Sequence, residues 1–286
     1  MKKLNELDYS NLPGVKKSLK LLIKALLVKF YIKPKTKLQK SFSVESMKRK
    51  IFYTIAKYYQ LPTDEPIINE NGLKGLHLIA SYTDRDKGFL PGLINSCEAF
   101  EKIILYHDKS GNNFKYNESL RFQLLIAAAK REGADWVLIG SPKTRFSSNF
   151  KKQVEPYVKK YSGTATVLEV KERFLWEDFE HHAHTKRSGP DPEIRKFFSV
   201  TDTMVFDNKP IHAAQHPVNY TNIVYVDACR YYLGRFNLKI MKQKADFYHK
   251  KDGKDYSYMY DMSNPIPHEE KILGVGDYEA RELMGK

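Results

Sequence analysis

Trp136, Val137, Leu138 and Ile139 form an unbroken apolar run, entered through Gly133 and Ala134 and stopped by Gly140, Ser141 and Pro142. A short continuous apolar run bounded by turn formers predicts a strand buried on both faces, as in a parallel sheet. Residues 120–131 (LRFQLLIAAAKR) precede it, and their Leu- and Ala-rich composition predicts a helix. Helix, glycine-containing turn, buried strand and polar loop form one unit of an open α/β sheet. Ligands of such sheets bind outside the carboxyl ends of the strands, which directs attention to residues 140–146. Upstream, the pattern predicts a strand at 76–80, a helix near 90–100 and a strand at 102–106. Downstream it predicts a strand at 164–170 and a helix over 225–251 around Gly234, with aromatics on one side and lysines on the other.

A different periodicity marks the beginning of the chain. In residues 15–33 (VKKSLKLLIKALLVKFYIK) apolar residues recur at spacings of three and four, with Lys16, Lys17, Lys20 and Lys24 between them, and Pro34 ends the pattern. This predicts a basic amphipathic helix suited to an anionic membrane surface. The same stripe also suits docking on the rest of the protein, and aromatic residues among the lysines leave nucleic acid as a weaker alternative, although no nucleic-acid-binding motif follows. Residues 47–60 read as helical, and residues 61–72 (LPTDEPIINENG) as a turn-rich linker. The expected division is a basic arm and linker over 1–70 and an α/β domain over 71–286, itself made of halves at 71–150 and 151–286.

Charge sharpens this division. The chain has 286 residues and a formal net charge of +14. Residues 1–50 hold 14 Lys or Arg against Glu6, Asp8 and Glu45, so the excess belongs mainly to the arm. Cys97 and Cys229 lie in apolar segments without metal-like spacing and read as buried thiols of a reducing compartment. With no signal-peptide pattern and no run of 18 apolar residues, the expected location is cytoplasmic, peripheral to a membrane where the arm engages one.

The succession LHLIASYTDRDKGFLPGLINSCEAFEKIILYHDKSGNN, then ESLRFQLLIAAAKREGADWVLIGSPKTRF, resembles the nucleotide-sugar-binding half of family 2 glycosyltransferases. The likeness covers about residues 75–150 and, more loosely, 165–250. It implies a GT-A type α/β fold: a mostly parallel central sheet flanked by helices, with a smaller mixed acceptor half. It also implies sugar transfer from a nucleotide-diphosphate donor to a surface glycan, polysaccharide or lipid-linked acceptor, or a noncatalytic binding protein on the same scaffold. Carried over by position, Thr83 and Asp84 meet the base or ribose, Asp108 contacts the base, and Arg121 and Arg195 lie near the diphosphate. On the residues alone, Asp84 and Asp108 read equally as caps and turn formers.

Where the family carries Asp-x-Asp, this chain reads Ser141-Pro142-Lys143-Thr144-Arg145. Mg²⁺ and Mn²⁺ prefer hard oxygen ligands, and one hydroxyl is a poor substitute for two carboxylates. A metal is therefore disfavoured, with Lys143 and Arg145 meeting the diphosphate directly. Loss of catalysis, or metal ligands supplied elsewhere, are the alternatives. For the acceptor side the resemblance implies a carboxylate base, with Asp178 the first choice and Glu177 the second, and acceptor contacts from His182 and His212. The cluster His181, His182 and His184 lacks the ligand set of a zinc site.

Overall fold

The longest strand of the first half is β2 (Leu73–Tyr82), buried along nearly its whole length. It owes this to helices on both sides, since alternate residues of a strand face opposite ways. Leu76, Leu78, Ala80 and Tyr82 join a core that includes Leu93, Phe150, Val154 and Phe197. Ile79 turns to the other face, among Leu124, Leu125, Ala128 and Val137. The computed structural model describes residues 61–109, 118–183, 193–207, 214–253, 255–256 and 265–284. The expected helices at 15–33 and 47–60, and the candidates His184 and His212, lie outside the described residues.

The strands beside β2 are β3 (Phe100–His107) and β4 (Trp136–Ile139), both parallel to it. On one face lie helix α1 (Leu90–Asn95), reached through a 3-10 turn over Asp84–Phe89, and helix α3 (Phe150–Lys160). On the other lies α2 (Glu118–Arg131). α2 stops where Gly133 takes φ 89. There the Gly133 N–H donates to Lys130 O and the Ala134 N–H to Ala129 O, a paired closure of the last turn that favours glycine. The chain is thus delivered straight into β4, as its sequence pattern predicts.

Beyond β4 the sheet departs from the expected form. β8 (Glu193–Ser199) pairs antiparallel with β4, and β6 (Thr166–Leu175) antiparallel with β8. β9 (Asn222–Tyr232) runs parallel to β6, and the short β5 (Thr144–Phe146) lies antiparallel on β9. β7 (His181–Ala183) and β10 (Ile266–Pro267) extend the β6 edge, and β1 (Ile67–Ile68) extends the β3 edge. The protein is therefore α/β with one large mixed sheet: it is not mostly parallel, and a single hydrogen-bonded ladder crosses from the first half to the second.

Three further expectations change. The helix expected over 225–251 begins inside β9, because residues 222–232 (NIVYVDACRYY) are rich in β-branched and aromatic residues and pair with β6. Only after the turn Leu233–Arg235 does helix α4 (Leu238–Asp252) start, capped by Asn237, whose side chain accepts the Ile240 N–H at 3.0 Å. α1 is shorter than expected and ends at Asn95. The segment expected as linker is bonded to the sheet: Leu61 is buried, the Asp64 N–H donates to Leu105 O, and β1 pairs with β3. No helix among the described residues is long and apolar enough to cross a membrane.

Arg145, on β5, is fully buried. Its Nε donates to Gly274 O, its Nη1 to Pro142 O and Thr144 O, and its Nη2 to Phe89 O and to Glu279 Oε1 at 2.5 Å. All five guanidinium donors are thus satisfied inside the protein. Glu279 belongs to the C-terminal helix α5 (Asp277–Met284). Arg145→Ala would leave Glu279 buried without its cation, so a stability loss of about 3–5 kcal/mol is expected in denaturant unfolding. Lys143→Ala, two residues away and partly exposed, is expected to change stability by less than about 0.5 kcal/mol. Equal losses would refute this division of roles.

Candidate functional site

The carboxyl ends of β2, β3 and β4 converge as open α/β sheets dictate, and they bring polar side chains together. Tyr82 and His107 are register partners on neighbouring strands, and their rings stack at 4.7 Å with planes 1° apart. The Tyr82 hydroxyl donates to Asp64 at 2.7 Å; burial and that carboxylate push its pKa up to about 12. His107 Nε2 lies 2.8 Å from Asp84 Oδ1, at a carboxylate 81% exposed. Thr83 donates to Asp86 Oδ2 at 3.0 Å, and Asp108, buried at 3% exposure, donates its N–H to Tyr82 O. Thr83, Asp84 and Asp108 therefore share one rim, with Asp86 and His107 as members that the sequence reading did not single out.

The loop after β4 enters this rim through Lys143. Its ammonium lies 3.6 Å from Asp86 Oδ1 and 4.9 Å from the centre of the Phe89 ring. Ser141 is part of the loop's own turn, its N–H donating to Thr144 Oγ1 at 3.0 Å. Arg145 faces inward and is a framework residue, which corrects its expected contact with a diphosphate. A guanidinium with every donor bonded has none left for a ligand. Arg121 is buried on α2, 3.6 Å from Glu118 and over the Phe122 ring at 5.0 Å.

On its other side Lys143 meets a second group, held by β6, β8, β9 and α4. Alternation along β9 puts Arg230 and Tyr232 on one face, opposite Glu172 and Phe174 of β6. Arg230 Nε donates to Glu172 Oε1 at 2.8 Å, Nη2 reaches the same oxygen, and Nη1 donates to Ile139 O at the end of β4. Lys196 Nζ is 3.7 Å from Glu172 Oε1. Lys244 Nζ donates to the Tyr232 hydroxyl at 3.1 Å and sits 4.8 Å from its ring centre. The Arg235 guanidinium lies over the Phe174 ring at 4.3 Å. Gly234 leaves room for the Tyr232 ring, since a Cβ there would stand 2.3 Å from its hydroxyl.

Electrostatics follow from that crowding. Burial alone would raise the Glu172 pKa, but Arg230, Lys196 and Arg235 hold it down to about 2. Desolvation moves the half-buried Lys196 down, with Arg230 and Lys244 adding to it and Glu172 opposing it. Tyr232 moves below the ordinary phenol range, chiefly through Lys244, with Lys143 and Lys196 adding to it.

The acceptor candidates sit apart from the rim yet touch it through one turn. The Glu177 N–H donates to Phe236 O, and the Leu233 N–H donates to Lys143 O, so residues 233–236 bridge the two loops. Glu177 has φ 62, the left-handed region that side-chain-bearing residues seldom occupy. Asp178 is engaged in a local turn, accepting the N–H groups of Glu180 and His181 and lying 2.8 Å from His181 Nδ1. Burial opposes ionisation there, but these bonds win and lower its pKa, which weakens it as a base. His182 is buried on β7, its ring 6.1 Å from that of His268. Arg195 pairs with Glu169 and with the Tyr220 hydroxyl, whereas its neighbour Lys196 faces the Lys143 side. Glu172, Lys196, Arg230, Tyr232, Arg235 and Lys244 were thus missed by the sequence reading. Strand alternation in CRYY would have singled out Arg230 and Tyr232.

Because the folded Glu172 pKa lies below its ordinary value of 4.5, its contribution to stability is complete above about pH 4.5 and is lost as pH falls towards 2. Linkage puts that contribution at about 3 kcal/mol. Denaturant titrations across this window are expected to give Glu172→Gln a correspondingly shallower acid limb, and an unchanged limb would refute the assignment. Comparison with known protein-family models gives no match to this chain, and comparison with curated proteins gives none.

Proposed function

We propose that this protein is a GT-A type glycosyltransferase, similar to family 2 members, that moves a sugar from a nucleotide-diphosphate donor to a glycan, polysaccharide or lipid-linked acceptor. The observation that carries the reading is the convergence of Thr83, Asp84, Asp86, His107, Asp108 and Lys143 at the carboxyl ends of three parallel strands. That is where open α/β sheets bind nucleotides. Asp84 and Asp108 are the proposed contacts to base and ribose. Lys143 is the proposed fixed cation for charge that develops on the leaving diphosphate, with no divalent metal required. Arg121 and Arg195 are the less favoured diphosphate contacts, since each is paired within the protein.

A second reading, nucleotide-sugar binding without transfer, is favoured by one observation. Asp178, the proposed base, is tied into its turn with a lowered pKa. Donor hydrolysis or transfer separates the two. In the first reading, Lys143→Ala lowers turnover roughly a hundred- to thousandfold, the usual effect of removing one such donor, and EDTA leaves the wild type unchanged. Activity abolished by EDTA and restored by Mn²⁺ or Mg²⁺ would refute the lysine-based scheme.

The basic segment at 15–33 is proposed to hold the enzyme on the anionic cytoplasmic face of a membrane, near a lipid-linked acceptor, without a nucleic-acid partner. Each lysine near such a surface adds roughly 1 kcal/mol of attraction. Removing residues 1–50 is expected to abolish sedimentation with phosphatidylserine vesicles at low salt. Undiminished sedimentation would refute the anchoring role.

A further inference from the structure

Among the described residues, the group around Tyr232 gathers more cations than carboxylates. Arg230 and Glu172 satisfy one another, and Arg230 is also bonded to Ile139 O. That leaves Lys143, Lys196, Arg235 and Lys244 with Asp86 as the remaining carboxylate among the described contacts. The ammonium groups are not closely paired. Lys143 Nζ stands 3.6 Å from Asp86 and Lys196 Nζ 3.7 Å from Glu172, both beyond a good hydrogen bond. Their side chains are only 29% and 26% exposed. Arg235 Nε is buried without a hydrogen-bond partner.

Gathering partly desolvated cations costs free energy unless an anion completes the group. The donors come from four separate places: the loop after β4, strand β8, the turn after β9 and helix α4. Donors that converge from several elements suit a polyanion with several oxygens better than a single carboxylate, which one arginine fork already satisfies.

We propose that Lys143, Lys196 and Lys244, with the Tyr232 hydroxyl and Arg235, form a binding site for a diphosphate group. Lys196 and Lys244 supply charge-assisted hydrogen bonds to its oxygens, and Lys143 joins this basin to the rim at β2 and β3. Tyr232 turns from accepting the Lys244 hydrogen bond to donating its own O–H to the anion. The site stands on the charge imbalance around Tyr232, so it does not depend on sugar transfer. Its diphosphate has two chemical sources, a nucleoside diphosphate reaching the rim or an isoprenyl diphosphate entering from the acceptor side.

Calorimetric titration of the full chain with inorganic pyrophosphate tests the site. Pyrophosphate should bind more tightly than inorganic phosphate. Lys196→Met and Lys244→Met should each weaken its binding at least tenfold, with Lys159→Met, an exposed lysine elsewhere, unchanged. A second readout is the ultraviolet difference spectrum of tyrosinate: pyrophosphate should move upward in pH the one tyrosine transition that Tyr232→Phe removes. The spectrum keeps the proposal testable if a lysine variant fails to fold. Uridine diphosphate and geranyl diphosphate then distinguish the sources, the tighter ligand identifying which one the site serves. Pyrophosphate binding without any nucleotide-sugar binding would support this site and refute the donor reading. Pyrophosphate binding that is indifferent to Lys196→Met and Lys244→Met, or no pyrophosphate binding at all, would overturn the site.

Discussion

The contact on which the rest of the architecture depends is the buried guanidinium of Arg145. One side chain bonds the loop after β4, the end of the 3-10 turn that follows β2, the backbone at Gly274 and the carboxylate of α5. These segments lie far apart in sequence, and no apolar contact imposes the same directionality. A planar group with five donors in fixed directions demands acceptors in fixed places. The loop that bears Lys143 is therefore held at its β5 end by Arg145. At its other end, Arg230 of β9 bonds to Ile139 O. Two arginines brace the loop, and the lysine between them is left with its ammonium beyond hydrogen-bond distance of its carboxylate partner, Asp86.

β9 is the strand that makes this arrangement possible. Its alternate residues serve different ends. Cys229 and Tyr231 enter the apolar cluster with Phe89, Leu175, Leu233 and Phe236, while Arg230 and Tyr232 face the basic group. A shift of one residue in its pairing with β6 would exchange these faces, burying charge in the cluster and exposing aromatic surface. The same register fixes Glu172 against Arg230 and Phe174 against Tyr232, so the electrostatics of the basin are a consequence of strand pairing.

The rim at β2 and β3 and the basin at β9 differ in charge. The first carries Asp84, Asp86 and Asp108 beside His107; the second is cationic around one buried carboxylate. Lys143 lies between them, and so does the turn 233–236, which touches both Lys143 and Glu177. A ligand with a neutral or donor-rich head and an anionic tail matches that polarity, as a nucleoside diphosphate does in the proposed function.

Local sequence determined the elements whose environment is uniform. Trp136–Ile139 had to be a buried strand because four consecutive apolar side chains need cover on both faces, and the run before Gly133 had to be a helix ended by a glycine. Placement of Thr83, Asp84 and Asp108 near one another follows from the rule for parallel strands, so that part of the candidate site was legible. What the chain alone did not determine was the second half of the sheet. Residues 222–232 carry both a strand-like alternation and helix-compatible spacing, and pairing with β6 decided between them. Arg145 and Lys143 look alike as loop cations in sequence; only the distant Gly274 and Glu279 make one a buried brace and leave the other facing the site. Lys196, Tyr232 and Lys244 are separated by 12 to 48 positions in the chain, and no local rule joins them. Their grouping exists because hydrogen-bonded strand register brings distant residues to one face, an effect that operates between segments and not within them.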